Sequence, residues 1–153
     1  MAEDREIMPW EERSRATYQS IGRFIFEFSQ LEAALRHFVG AYSGVKEEFA
    51  DAVISHDFSL LCTIASQVLV DPNDTHGILD KIISDCRRMN DVRVRVVHGL
   101  WAPFQDGGTL LNISRRNLKP FMSGDQAQRL EAHAGEVNQL RNRFETFVHR
   151  GGY

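Results

Sequence analysis

Thirteen residues near the middle of the chain, MNDVRVRVVHGLW, bring together two side chains suited to phosphate chemistry: Arg93 and, five positions on, His98. A guanidinium stays charged at any ordinary pH and offers a planar fork to phosphate oxygens, while an imidazole exchanges protons near neutrality. The pair can hold a phosphodiester and move a proton on it. Arg93 continues the heptad stripe that runs from Leu79 through Cys86, so it is expected on the inner face of a helix, where an unpartnered cation is rare. His98 falls at the last turn, just before Gly99, where the negative end of the helix dipole favours the imidazolium and a general-acid role. On an ideal helix the two lie about 140° apart. They share a site only if the helix ends or distorts near His98, or if the cleft lies between two helices. A two-fold dimer pairing this helix with its copy brings two of each together. The plainer alternative has Arg93 capping carbonyls or pairing with an acid, and His98 closing the helix.

Glu32 is the candidate acid, on the ridge Ile21–Ile25–Phe28–Glu32–Leu35; it either orients Arg93 or pairs with Arg36 one turn away. Net charge is −3, yet between Arg87 and Lys119 seven basic residues stand against only Asp91 and Asp106. Arg88, Arg95, Arg115 and Arg116 are therefore candidate phosphate contacts, the alternative being an ordinary solvated face. Trp101 can stack a base beside His98 or anchor the segment that follows. The six His show no metal-ligand spacing, and no Gly-rich phosphate loop, nucleophile elbow or dinucleotide fingerprint appears. No metal and no cofactor are expected.

Four long or medium helical segments and one hairpin must position these groups. The first is expected from about Trp10 to Val39, with Ile21, Phe24, Ile25, Phe28, Leu31, Leu35, Phe38 and Val39 at helical spacing. Phe26 lies off that stripe and widens the apolar surface, as in a helix that touches both its own bundle and a second subunit, the alternative being a lone surface Phe. A short helix covers Glu47 to Ile54, and another, capped by Asp57 or Ser59, covers Leu60 to Val70. After the break at Asp71-Pro72-Asn73-Asp74 the next runs from Thr75 or His76 to His98. Leu100–Phe104 and Thr109–Ile113 flank a hairpin turn at Asp106-Gly107-Gly108. Ser123 with Gln126 forms a capping box for the last helix, whose stripe is Leu130, Val137, Leu140, Phe144 and Phe147. The expected class is all-α: an up-and-down four-helix bundle with a small β-hairpin between the third and fourth long helices.

The 153 residues suit one domain, 1–153, with 1–9 as a flexible tail. Cys62 and Cys86 each sit in an apolar helical pattern; a disulfide requires the fold to bring them together, and buried free thiols in a reducing compartment are the expectation. No leader-like or membrane-length apolar run is present, so a cytoplasmic protein with no membrane association is expected.

A long first helix with FSQLEAALR, a helix ending RVRVVHG, a following LW with a hairpin, and a final amphipathic helix resemble the HEPN superfamily over about residues 15 to 149. Arg93 and His98 match that superfamily's Arg-to-His signature, in which four to six residues separate the pair. The resemblance implies a small helical bundle that dimerises through the motif-bearing helices. It implies a metal-independent endoribonuclease, often a toxin paired with an antitoxin or a nucleotidyltransferase-like partner, or part of antiviral defence. Active members commonly carry a polar residue after the Arg, often Asn, where this chain has Val94. That departure fits a noncatalytic dimeric module binding a protein, nucleotide or RNA. The dimer is expected to keep Arg93 hydrated in a groove, with Met89, Val96 and the flank of Phe26 packing across the two-fold.

Overall fold

The computed structural model describes residues 9–102, 109–114, 117–123 and 126–151. Along them run α1 (Trp10–Tyr42), α2 (Glu47–Ile54), α3 (Phe58–Val68), α4 (Ile78–His98), β1 (Leu100–Ala102), β2 (Thr109–Ser114), β3 (Asn117–Ser123) and α5 (Gln126–Arg150). The chain is mostly helical. Residues 1–8 of the expected tail, the turn at Asp106-Gly107-Gly108 and the contacts of the Ser123–Gln126 capping box lie outside the described residues.

Local chemistry sets the helix ends. Pro9 precedes α1, and Glu11 and Glu12 stand in its first turn, where the dipole favours carboxylates. Asp57 caps α3, accepting from the Ser59 and Leu60 amides at 2.9 and 3.1 Å. Asp74 does the same for α4, accepting from the Ile78 amide at 2.8 Å and the Leu79 amide at 2.9 Å. It reaches them across Gly77, which holds the left-handed φ of 61° that only glycine adopts at little cost. That kink moves the start of α4 from the expected Thr75 or His76 to Ile78. At the other end the Gly99 amide bonds the Arg95 carbonyl at 2.9 Å.

Contacts between helices fix their directions. Arg23 of α1 pairs with Glu131 of α5, Glu27 accepts from Asn138 at 3.1 Å, and Phe38 meets Phe144 edge-on at 5.6 Å and His149 at 5.8 Å. The partners ascend together, so α1 and α5 are parallel. Arg88 with Glu136 and Asp85 with Arg143, both at 3.0 Å, make α4 antiparallel to α5. Arg87 donates to Thr63 at 3.0 Å, while Phe58 and Arg93 both approach Phe28, which makes α3 antiparallel to α4 as well. Thus α1, α3 and α5 point one way and α4 the other, which corrects the expected up-and-down alternation. The physical reason is α2. It carries the chain back along α1, where Arg36 donates to the His56 carbonyl at 3.1 Å, so α3 starts again beside Phe28.

One cluster of buried side chains joins α1, α3, α4 and α5, with Phe24, Leu31, Leu61, Ile82, Met89, Val137 and Phe144 essentially sealed from solvent. The α4–α5 connection forms a three-stranded antiparallel sheet in the order β1-β2-β3, with Trp101 opposite Leu110 and Asn112 opposite Phe121. Its third strand, at the edge of the sheet, was not expected; it contains Pro120, and an edge strand tolerates proline. Among the described residues no helix is long and apolar enough to cross a membrane.

Candidate functional site

Arg93 is half-buried near the end of α4, with its guanidinium carbon 5.7 Å from the centre of the Phe28 ring on α1. It makes no ion pair or hydrogen bond to any described residue. Phe28 itself packs on Phe58 at 4.7 Å between ring centres, so the cation rests on an aromatic platform built by α1 and the first turn of α3. Such a cation is held in place by dispersion and ring charge, and among the described residues nothing takes up its N–H donors. The expectation of an inward-leaning Arg93 is met, with a ring beneath it in place of the expected acid.

His98 is exposed at the last residue of α4. By helix geometry the arc of roughly 140° from Arg93 to His98 passes Val97, Asn90 and Val94 in turn. Val94 is 40% and Val97 52% exposed, a short valine ridge standing between the two polar groups. Leu100, 62% exposed, extends the apolar surface beyond Gly99. Asn90 is half-buried behind the ridge, and its side-chain carbonyl is sealed from solvent with no hydrogen-bond partner among the described residues. Within one chain, therefore, Arg93 and His98 flank a ridge and do not converge.

The remaining candidates separate. Glu32 pairs with Arg36 at 2.5 Å, the local alternative, and forms no ion pair or hydrogen bond with Arg93. Arg88 is committed to α5, bonding Glu136 at 3.0 Å and approaching Asp85 at 3.7 Å. Arg95 is exposed and donates to the Asp91 carbonyl one turn back at 3.2 Å. Arg87 is spent on Thr63. The described arginines fan around α4 and do not form one patch; Arg115 and Arg116 lie outside the described residues. Trp101 is half-buried against the core and donates from Nε1 to the Val96 carbonyl at 2.9 Å, which ties β1 to the end of α4.

Two expected interface residues are corrected. Met89 and Val96 are buried in the core of their own chain, because α4 packs against α3 on one side and α5 on the other. The apolar side chains that face outward include Val94 and Val97 near the end of α4 and Phe26 of α1, which is 61% exposed. Sequence reasoning missed Phe28 by one helical turn: it lies on the same ridge as Glu32, and that ridge was the signal. Asn90, three residues before Arg93, left no signal of its own.

A cleft of about 450 Å³ lies at the far end of α4, between Asp71, Asp74, Ile78, Phe147 and Arg150, and includes neither Arg93 nor His98. Among the described residues no group of three or more His, Cys, Asp and Glu side chains is arranged to hold a metal ion. Comparison with protein-family models, with curated proteins and with solved structures gives no match to this chain.

Proposed function

We propose that this chain is a homodimeric, metal-independent endoribonuclease of HEPN type, a four-helix arrangement of α1, α3, α4 and α5 that dimerises along the exposed end of α4. The observation that carries the reading is Arg93: a half-buried cation held over Phe28 with no ion pair or hydrogen bond among the described residues, five positions before an exposed His98. The valine ridge of Val94 and Val97 supports the dimer, since packing ridge on ridge across a two-fold covers apolar surface and edges it with two Arg93 and two His98. In that groove the guanidinium stabilises charge building on phosphorus while His98 exchanges a proton with the 2′-hydroxyl or the departing 5′-oxygen.

The test is incubation of the purified chain with long structured and unstructured RNAs in EDTA, followed by end-group analysis. Cleavage products with 2′,3′-cyclic phosphate and 5′-hydroxyl ends are expected. Absence of cleavage at stoichiometric protein, or ends carrying 3′-hydroxyl groups, counts against the assignment.

A second reading, a noncatalytic dimeric module that binds a protein, nucleotide or RNA, is favoured by Val94 at the position after Arg93 and by the exposed Phe26 of α1. RNA binding or a protein partner without cleavage distinguishes it. Toxicity on expression that Arg93→Ala relieves favours the nuclease, with an antitoxin or nucleotidyltransferase-like protein as the partner and the cytoplasm as its place of action.

A further inference from the structure

Cys62 of α3 and Cys86 of α4 are both free and wholly sealed from solvent in the same core cluster. The two helices run antiparallel in a register that sets these positions opposite each other. The residues that follow the cysteines, Thr63 and Arg87, are themselves joined by a 3.0 Å hydrogen bond, and Phe58 and Arg93 meet around Phe28 further along the same seam. The two thiols are near enough for each to shift the acidity of the other. We propose that Cys62 and Cys86 are a reversible oxidation site, forming an intrachain disulfide that staples α3 to α4 when the chain meets a hydroperoxide.

The two sulfurs are unequal, which orders the steps. The neighbouring Cys86 lowers the Cys62 thiol below its ordinary value, with burial opposing; that same neighbour relation and burial push the Cys86 thiol far up. Cys62 is therefore the attacking thiolate. Its sulfur takes the outer oxygen of the peroxide, the O–O bond breaks, and the remainder leaves as an alcohol or water after taking up the Cys62 proton. The Cys86 sulfur then attacks the Cys62 sulfenic acid, and the displaced hydroxide combines with the Cys86 proton as water. Two thiols lose two electrons and the peroxide gains them. Because neither sulfur touches solvent, the first step waits on local opening of α3, an 11-residue helix whose outer face, including Leu60, is exposed. Cys86 lies on α4 seven residues before Arg93, so the staple anchors the helix that bears the candidate site.

The test uses the full chain treated with hydrogen peroxide, then denatured and exposed to a thiol-alkylating reagent, with intact mass as the readout. A mass about 2 Da below the reduced chain, no alkylation, and full recovery of two alkylated thiols after dithiothreitol are expected. Closing the loop from Cys62 to Cys86 raises Tm by roughly 5–10 °C. Sub-denaturing urea speeds the oxidation, and in Cys86→Ala, which lacks both the neighbour that lowers Cys62 and the resolving thiol, Cys62 oxidises more slowly and stops at a dimedone-reactive sulfenic acid. Two alkylatable thiols after peroxide, a gain of oxygen mass on the wild-type chain in place of the loss, or a disulfide between chains on a non-reducing gel overturns the proposal.

Discussion

Phe28 and Arg93 meet where α1 crosses α4, the guanidinium carbon 5.7 Å from the ring centre, and the ring is the only described partner the cation has. A cation over an aromatic face is worth about 0.5–2 kcal/mol, enough to orient a long side chain and too little to satisfy its donors. Phe28→Leu keeps most of the apolar volume and removes the ring. Urea denaturation is expected to show a loss of about 1–1.5 kcal/mol, while RNA cleavage falls roughly five- to tenfold as Arg93 loses its seat. Unchanged cleavage at that modest stability cost separates Phe28 from the site.

The Trp101 indole has a structural partner, the Val96 carbonyl at 2.9 Å. Trp101→Phe keeps a ring able to stack on a base and deletes the N–H. A stability loss of about 1 kcal/mol with cleavage within twofold of wild type is expected, read from denaturation and single-turnover rates. A several-fold drop in cleavage without loss of stability assigns the indole to the RNA.

Asp74 holds the start of α4 through the Ile78 and Leu79 amides, and those bonds keep its carboxyl below the ordinary carboxylate range. A depressed carboxyl stabilises the fold above its unfolded-state value, near 3.9, and loses that contribution as pH falls through the lower folded value. Asp74→Ala therefore lowers Tm by several degrees at pH 7, and the gap to wild type narrows below about pH 4. Thermal melts across pH 2.5–7 check this; a gap that widens toward acid contradicts the capping role.

The proposed dimer packs the exposed valine ridge against a second copy. Light scattering is expected to give twice the 17.5 kDa chain mass at tens of micromolar. Val97→Asp, at a site 52% exposed within the chain, should yield a folded monomer with an unchanged circular dichroism spectrum. A wild-type monomer, or a Val97→Asp dimer, removes the ridge from the interface.

Much of the helical plan is legible in the chain because its signals are local: Asp57 ahead of α3, Gly99 after α4, and the Phe24–Phe28–Leu31–Leu35 stripe of α1. What escapes is non-local. The parallel run of α1 and α5 depends on pairs such as Glu27 with Asn138, more than a hundred residues apart, and on a crossover by α2, a helix that buries no residue of its own. The inner stripe of α4 drifts because two helices pack on it, turning Met89 and Val96 inward and leaving Val94 and Val97 out. At the candidate site, residue type and spacing select Arg93 and His98, but the engagement of Arg88 by Glu136 and of Glu32 by Arg36 appears only once partners are in place.

The central claim is that Arg93 and His98 serve RNA cleavage and not the fold. The most direct measurement is the single-turnover cleavage rate in EDTA for wild type, Arg93→Met and His98→Ala, each with its unfolding free energy. Arg93→Met trades a donor-rich, ion-pair-free cation for an apolar chain over Phe28, and His98 is exposed, so both variants are expected within about 1 kcal/mol of wild-type stability. Cleavage is expected to fall at least about 100-fold in each. A rate that survives unchanged in His98→Ala contradicts the claim and assigns any observed cleavage to another protein in the preparation.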